Sequence, residues 1–120
     1  TTNSYFSIKY SYMNIYVDVD NTITKTVGMD YENAEPVFKK ISIINGLYDK
    51  GHTITYWTAR GSVSGINYYD LTKKQLDEWG VKYHNFMVGK PPYDIFIDDK
   101  TINEITENLT EWLTKEEEKN

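Results

Sequence analysis

The chain has 120 residues, enough for one domain with a single core and too few for two. Its net charge of −5 provides no broad attraction to nucleic acid or an acidic membrane, so an anionic ligand needs positive charge from a metal or from one or two placed Lys or Arg. With no cysteine, disulfides, thiolate metal sites and a Cys nucleophile are excluded.

Residues 1–12 alternate weakly (Tyr5, Phe6, Ile8, Tyr10, Tyr12) and read as an edge strand or a lead-in of uncertain structure. They lack the apolar core of a secretion signal. No run approaches the ~20 apolar residues of a membrane span. A cytoplasmic protein without membrane contact is expected, with one organised domain over 13–120.

The first strand is expected at Ile15-Tyr16-Val17, a β-branched and aromatic run that stops at Asp18. Side chains alternate along extended backbone, so Asp18 and Asp20 point the same way and Val19 the other. Asn21 and Thr22 suit a turn. Two carboxylates side by side repel each other and need a cation, a shared proton or a chemical task. Residues 24–33 show no clean period and read as a turn or small flap around Gly28. Pro36 suits the first position of a helix carrying Val37, Phe38, Ile41, Ile44, Leu47 and Tyr48, closed by Lys50-Gly51.

Residues 53–58 read as a second strand ending in the polar turn Thr58-Ala59-Arg60-Gly61. Tyr68, Thr72, Leu76 and Trp79 predict a second helix closed by Gly80. A third strand is expected at 84–88, followed by Gly89-Lys90-Pro91-Pro92. A fourth is expected at 93–97, running into Asp98-Asp99. Ile102, Ile105, Leu109, Trp112 and Leu113 predict a last helix. Strands alternating with helices predict an α/β fold: a Rossmann-like parallel sheet, helices on both faces, right-handed crossovers. Ligands of such sheets sit beyond the carboxyl ends of the strands. There this chain carries an acid pair, a hydroxyl, an ammonium and a second acid pair. Carboxylates gathered at one point suit Mg²⁺, and a lysine, a threonine hydroxyl and turn amides suit phosphoryl oxygens. Together they can perform phosphoryl transfer.

The ordered set Asp18-Val19-Asp20-Asn21-Thr22, Thr58-Ala59-Arg60, Gly89-Lys90-Pro91 and Ile97-Asp98-Asp99 resembles the haloacid dehalogenase (HAD) superfamily of phosphohydrolases. It is most similar to the small capsule-biosynthesis phosphatases, and also to the phosphatase domain of bacteriophage polynucleotide kinase. The resemblance implies that Asp18 is the nucleophile and forms an aspartyl-phosphate. It implies that Asp20 protonates the leaving oxygen and later activates water, and that Thr58 and Lys90 hold the phosphoryl group. Mg²⁺ is implied to bind Asp18, the Asp20 carbonyl and the acid pair, with Asp99 favoured over Asp98 as the direct ligand. Thr22 is expected to steady the loop, and Arg60 to touch substrate. Asn21 stands beside the substrate where many members have glycine, and it tolerates unusual turn geometry.

Each interval between motifs is used up by one helix and its loops, so no cap domain fits and the site is expected to be open. The expected substrate is a small sugar phosphate, with a homo-oligomer covering the open site. Nucleic acid is disfavoured by the net charge. A polynucleotide end phosphatase and a non-catalytic assembly domain are the alternatives. His52 and His84 stand at no metal-ligand spacing in the sequence and read as structural or exposed residues.

Overall fold

A computed structural model describes residues 12–109. β1 (Asn14–Val17), β4 (Thr53–Trp57) and β5 (Asn85–Met87) form a parallel sheet in the order β1-β4-β5. Tyr16 lies opposite Thr55, and Thr55 opposite Asn85. β2 (Thr24–Lys25) and β3 (Glu35–Pro36) form a two-residue antiparallel ladder, with a 3₁₀ turn at Tyr31–Asn33 between them. α1 (Phe38–Asp49) crosses from β1's side to β4, and α2 (Tyr69–Glu78) from β4 to β5. The fold is α/β, a parallel three-stranded sheet flanked by helices. No helix of the described residues is long and apolar enough to cross a membrane.

The two-residue period of the strands decides where the core lies. Val17, Ile54 and Tyr56 point to one face and join Ile41, Ile44 and Leu47 of α1 and Leu76 of α2 in one buried cluster. Right-handed crossovers stepping in one direction put both helices on that face. The expectation of helices on both faces is therefore not met by α1 and α2. The other face is polar and aromatic. It carries Thr55, Asn85 and the exposed Tyr16, whose ring meets Trp57 edge-on at 6.2 Å.

Both helices stop as the sequence implies. At α1, Gly51 takes φ +102° and His52 N–H donates back to Leu47 O (3.2 Å). At α2, Gly80 takes φ +73° and Val81 N–H donates to Leu76 O (3.0 Å). In both, a left-handed residue turns the chain so that a terminal carbonyl finds a donor. The start of α1 differs from expectation. Pro36 lies in β3, opposite Thr24, and Val37 precedes the helix. Val37 N–H is committed to Ile23 O (2.8 Å), which extends the small ladder and delays the helix.

The carboxyl-terminal part departs further. Residues 93–97 form no strand, and Ile95 and Ile97 are 79% and 92% exposed. Chain geometry supplies the reason. Lys90 is held at the carboxyl end of the sheet, its N–H donating to Thr58 O (3.1 Å). A five-residue parallel strand must begin ~17 Å away at the opposite end, and the three steps from Lys90 through Pro91 and Pro92 to Tyr93 span at most ~11 Å. Residues 101–108 form no helix, although Leu109 reaches the core. The remainder of the expected last helix, and the lead-in up to residue 11, lie outside the described residues.

Candidate active site

The loop leaving β1 is anchored from below. Val19 and Ile23 are fully buried, and Val19 O accepts from both Thr22 N–H (3.2 Å) and Ile23 N–H (3.0 Å). This tight turn leaves Asp18 and Asp20 on its rim. Asn21 at its apex has φ +59°, a left-handed conformation that Asn tolerates better than other residues with a Cβ. Its side chain is not aimed at a ligand: Asn21 Oδ1 accepts from Thr26 N–H (3.0 Å). The substrate contact expected of Asn21 is corrected to a structural role. Thr22 Oγ1 is within 3.4 Å of Asp18 Oδ2, a long bond consistent with steadying the loop.

Asp20 is the most heavily braced group. Arg60 Nε–H donates to its Oδ2 and Nη2–H to its Oδ1, both at 2.8 Å, and Thr26 Oγ1–H adds a third bond to Oδ1 (2.8 Å). Thr26 spends its only hydroxyl proton on Asp20. The 2.6 Å contact between Thr24 and Thr26 must therefore be donated by Thr24, which itself accepts from Asn21 N–H (3.2 Å). The hydroxyls form a directed chain from the turn apex to the carboxylate.

Arg60 requires the main correction. A substrate contact was expected, but its side chain is 0% exposed. Its Nη1 donates to Thr72 Oγ1 (3.1 Å) and Gln75 Oε1 (2.5 Å) of α2, and its Cζ lies 4.8 Å from the Tyr31 ring centroid. A buried guanidinium is tolerated only when paired and hydrogen-bonded, and this one is. It holds Asp20 and is not free for a ligand. Burial, and then the charge of Asp20, push the Tyr31 hydroxyl up, while Arg60 pulls it down.

Thr58, just past β4, is 1% exposed. Its N–H donates to Met87 O (3.0 Å), its carbonyl accepts from Lys90 N–H, and its Oγ1 accepts from Arg60 N–H (3.1 Å). It ties the ends of β4 and β5 to the Lys90 loop. Ser62 Oγ–H donates to Lys90 O (2.8 Å) and closes that loop. Lys90 Nζ lies 3.6 Å from Asp18 Oδ1, with its side chain 15% exposed, and it also covers the Tyr93 ring at 5.2 Å. Asp18, Asp20, Thr22, Thr58, Arg60 and Lys90 therefore meet at the carboxyl edge of the sheet.

Asp98 and Asp99 do not join them. Both are exposed, and Asp99 N–H donates to Asp98 Oδ1 (2.6 Å). Hydrogen bonding with the Asp99 side chain and then its amide holds the Asp98 carboxyl below the usual carboxylate range. Among the described residues, no three His, Asp or Glu side chains are grouped to hold a metal. Of the expected Mg²⁺ ligands, Asp18 and Asp20 share the β1 loop and Asp98 and Asp99 do not reach it: with 93–97 off the sheet, nothing carries the second pair to the first. A groove of about 370 Å³ lies elsewhere, along β5 between Tyr16, Tyr69, Lys73, Tyr83 and Phe86. It is lined by none of the clustered residues, whose position follows from the strand ends and not from depth.

Thr26, Gln75 and Tyr31 are not singled out by the sequence, and Thr72 is read there only as part of the inward face of α2. The available signal was Gln75 beside Leu76 on the inward face of α2, where a polar side chain needs a buried partner.

A solved structure of similar fold is a structural-genomics target from Vibrio cholerae, 25% identical, aligned over 88% of this chain and 99% of that one with a TM-score of 0.70. No protein-family model and no curated protein matches the chain.

Proposed function

We propose that the chain is a phosphomonoester hydrolase of HAD type acting on a small sugar phosphate through Asp18. The supporting observation is the meeting of Asp18 with Lys90 at 3.6 Å, on the same edge as the braced Asp20. An Asp18 oxygen attacks phosphorus, forming an aspartyl-phosphate as the bond to the leaving oxygen breaks. That oxygen takes the proton that Asp20, entering the cycle protonated, carries on the Oδ2 lone pair left free by Arg60 and Thr26. Water then attacks phosphorus, Asp20 takes its proton, the bond to Asp18 breaks, and inorganic phosphate leaves. Lys90 offsets the phosphoryl charge, and the turn amides around Asp18 can serve as further donors.

Mg²⁺ is the hard cation such chemistry uses. Asp18 and the Asp20 carbonyl would hold it on the β1 loop, where Lys90 faces Asp18, while the Asp98 pair stands apart and adds no ligand. No step above runs through the ion. A second copy of the chain covering the open side belongs to this proposal, and a monomer at working concentration in light scattering would remove it.

The test is phosphate release from a panel of phosphomonoesters, with and without Mg²⁺, repeated with Asp18→Asn. Release is expected from the native chain and abolished by the substitution. Equal release from both removes Asp18 from its role. One observation favours a second substrate class, the 3′ or 5′ end of a polynucleotide. Exposed Tyr16, with Trp57 at its edge, lies two residues before Asp18 on β1 and can stack on a base. Binding of an oligonucleotide that falls steeply with salt would select it; salt-independent or absent binding would reject it.

A further inference from the structure

Gln75 is a buried amide with a partner on each side. Its Oε1 accepts from Arg60 Nη1 (2.5 Å), and its Nε2–H donates to Tyr31 O (2.7 Å), in the 3₁₀ turn between β2 and β3. The residue is 6% exposed. Reversing the amide would lose both bonds, so its two ends are not interchangeable. One end stiffens the guanidinium that orients Asp20. The other holds residues 24–36, whose exposed tip carries Val27 and Met29. Among the hydrogen bonds of the described residues, Asp20 Oδ1 accepts two and Oδ2 one. The free lone pair is therefore on Oδ2, and the clamp fixes where it points.

We infer that Gln75 is a positioning residue with two separable duties: through Arg60 it aims Asp20 Oδ2 at the leaving oxygen, and through Tyr31 it holds the flap formed by residues 24–36. The inference rests on the phosphatase proposal, and it adds a residue that touches neither substrate nor phosphoryl group. Because Gln75 acts through the proton donor, its removal harms most the esters whose leaving oxygen needs a proton. Because it also acts through the flap, the second duty can be removed while the first remains.

The experiment compares p-nitrophenyl phosphate, whose leaving group departs unprotonated, with a simple alkyl phosphate, whose leaving group must be protonated. Gln75→Leu is expected to lower kcat on the alkyl ester by ~10-fold or more with KM unchanged, and on the aryl ester by less than ~3-fold, a fraction of what a whole general acid contributes. Gln75→Glu keeps an acceptor for Arg60 and no donor for Tyr31. It is expected to leave the aryl-to-alkyl rate ratio at the native value. It should also speed amide exchange at Ala34, whose N–H shares the Tyr31 carbonyl (3.2 Å), and at Val37. Equal losses on both esters in Gln75→Leu overturn the duty toward Asp20. Unchanged exchange in Gln75→Glu overturns the duty toward the flap. A native chain inactive on both esters overturns the phosphatase proposal, and with it the catalytic half of this one; the exchange measurement still decides the other half.

Discussion

The loop after β1 and the segment from Pro91 to Asn108 contain the same kinds of residue and use them in opposite ways. Each has aspartates next to a β-branched run. Asp20 is met by Arg60, forty positions away in sequence, and by the buried Thr26, while Val19 and Ile23 beneath it are fully buried. Asp98 is met by its own neighbour, and Ile95 and Ile97 beside it are exposed. The difference shows that an acidic motif becomes a site when distant segments supply its donors. Local pattern alone does not assemble one.

The strongest way to break the contrast is Arg60→Met. It leaves Asp20, Thr72 and Gln75 without their shared partner, and breaking such a pair costs about 3 kcal/mol. Urea unfolding should show a loss of that order; a loss near zero would mean that Asp20 does not depend on Arg60. Asn21→Ala comes next. It keeps a Cβ at φ +59° but removes the bond to Thr26 N–H, for a loss of about 1–2 kcal/mol, whereas Asn21→Gly should lose less. In the other region, Ile97→Asp is expected to change stability by no more than about 0.5 kcal/mol, as for any surface position. A loss of several kcal/mol would show that Ile97 is packed.

The smallest effect is electrostatic. A hydrogen bond from Lys73, then one from Tyr83, holds the Asp77 carboxyl below its ordinary value. A depressed carboxylate contributes stability above the unfolded pKa and loses it as pH falls through the folded one. Asp77→Asn should therefore lower stability slightly at neutral pH, and the difference from the native chain should disappear as pH falls below about 4. An unaltered acid limb would deny the pairing.

The sheet and both helices were legible because period and punctuation agreed. Val17, Ile54 and Tyr56 alternate inward, and Gly51 and Gly80 stop the helices. Asp18, Thr58 and Lys90 were legible as neighbours because each follows a strand of one parallel sheet. Arg60 was misread because a sequence does not show whether a cation is buried. Its acceptors, Thr72 and Gln75, sit on a helix face that otherwise reads as apolar. Residues 93–97 were misread for a related reason: Tyr93 to Ile97 has strand character, but pairing needs a route from Lys90 to the far end of the sheet, and Pro91 and Pro92 are too short to supply it.

The most direct measurement is mass spectrometry of protein quenched in acid during turnover of a phosphomonoester. The account predicts one added phosphoryl group on the peptide containing Asp18, lost on longer incubation and missing in Asp18→Asn. Turnover with no phosphoryl adduct on Asp18, or with the adduct on another residue, would contradict it.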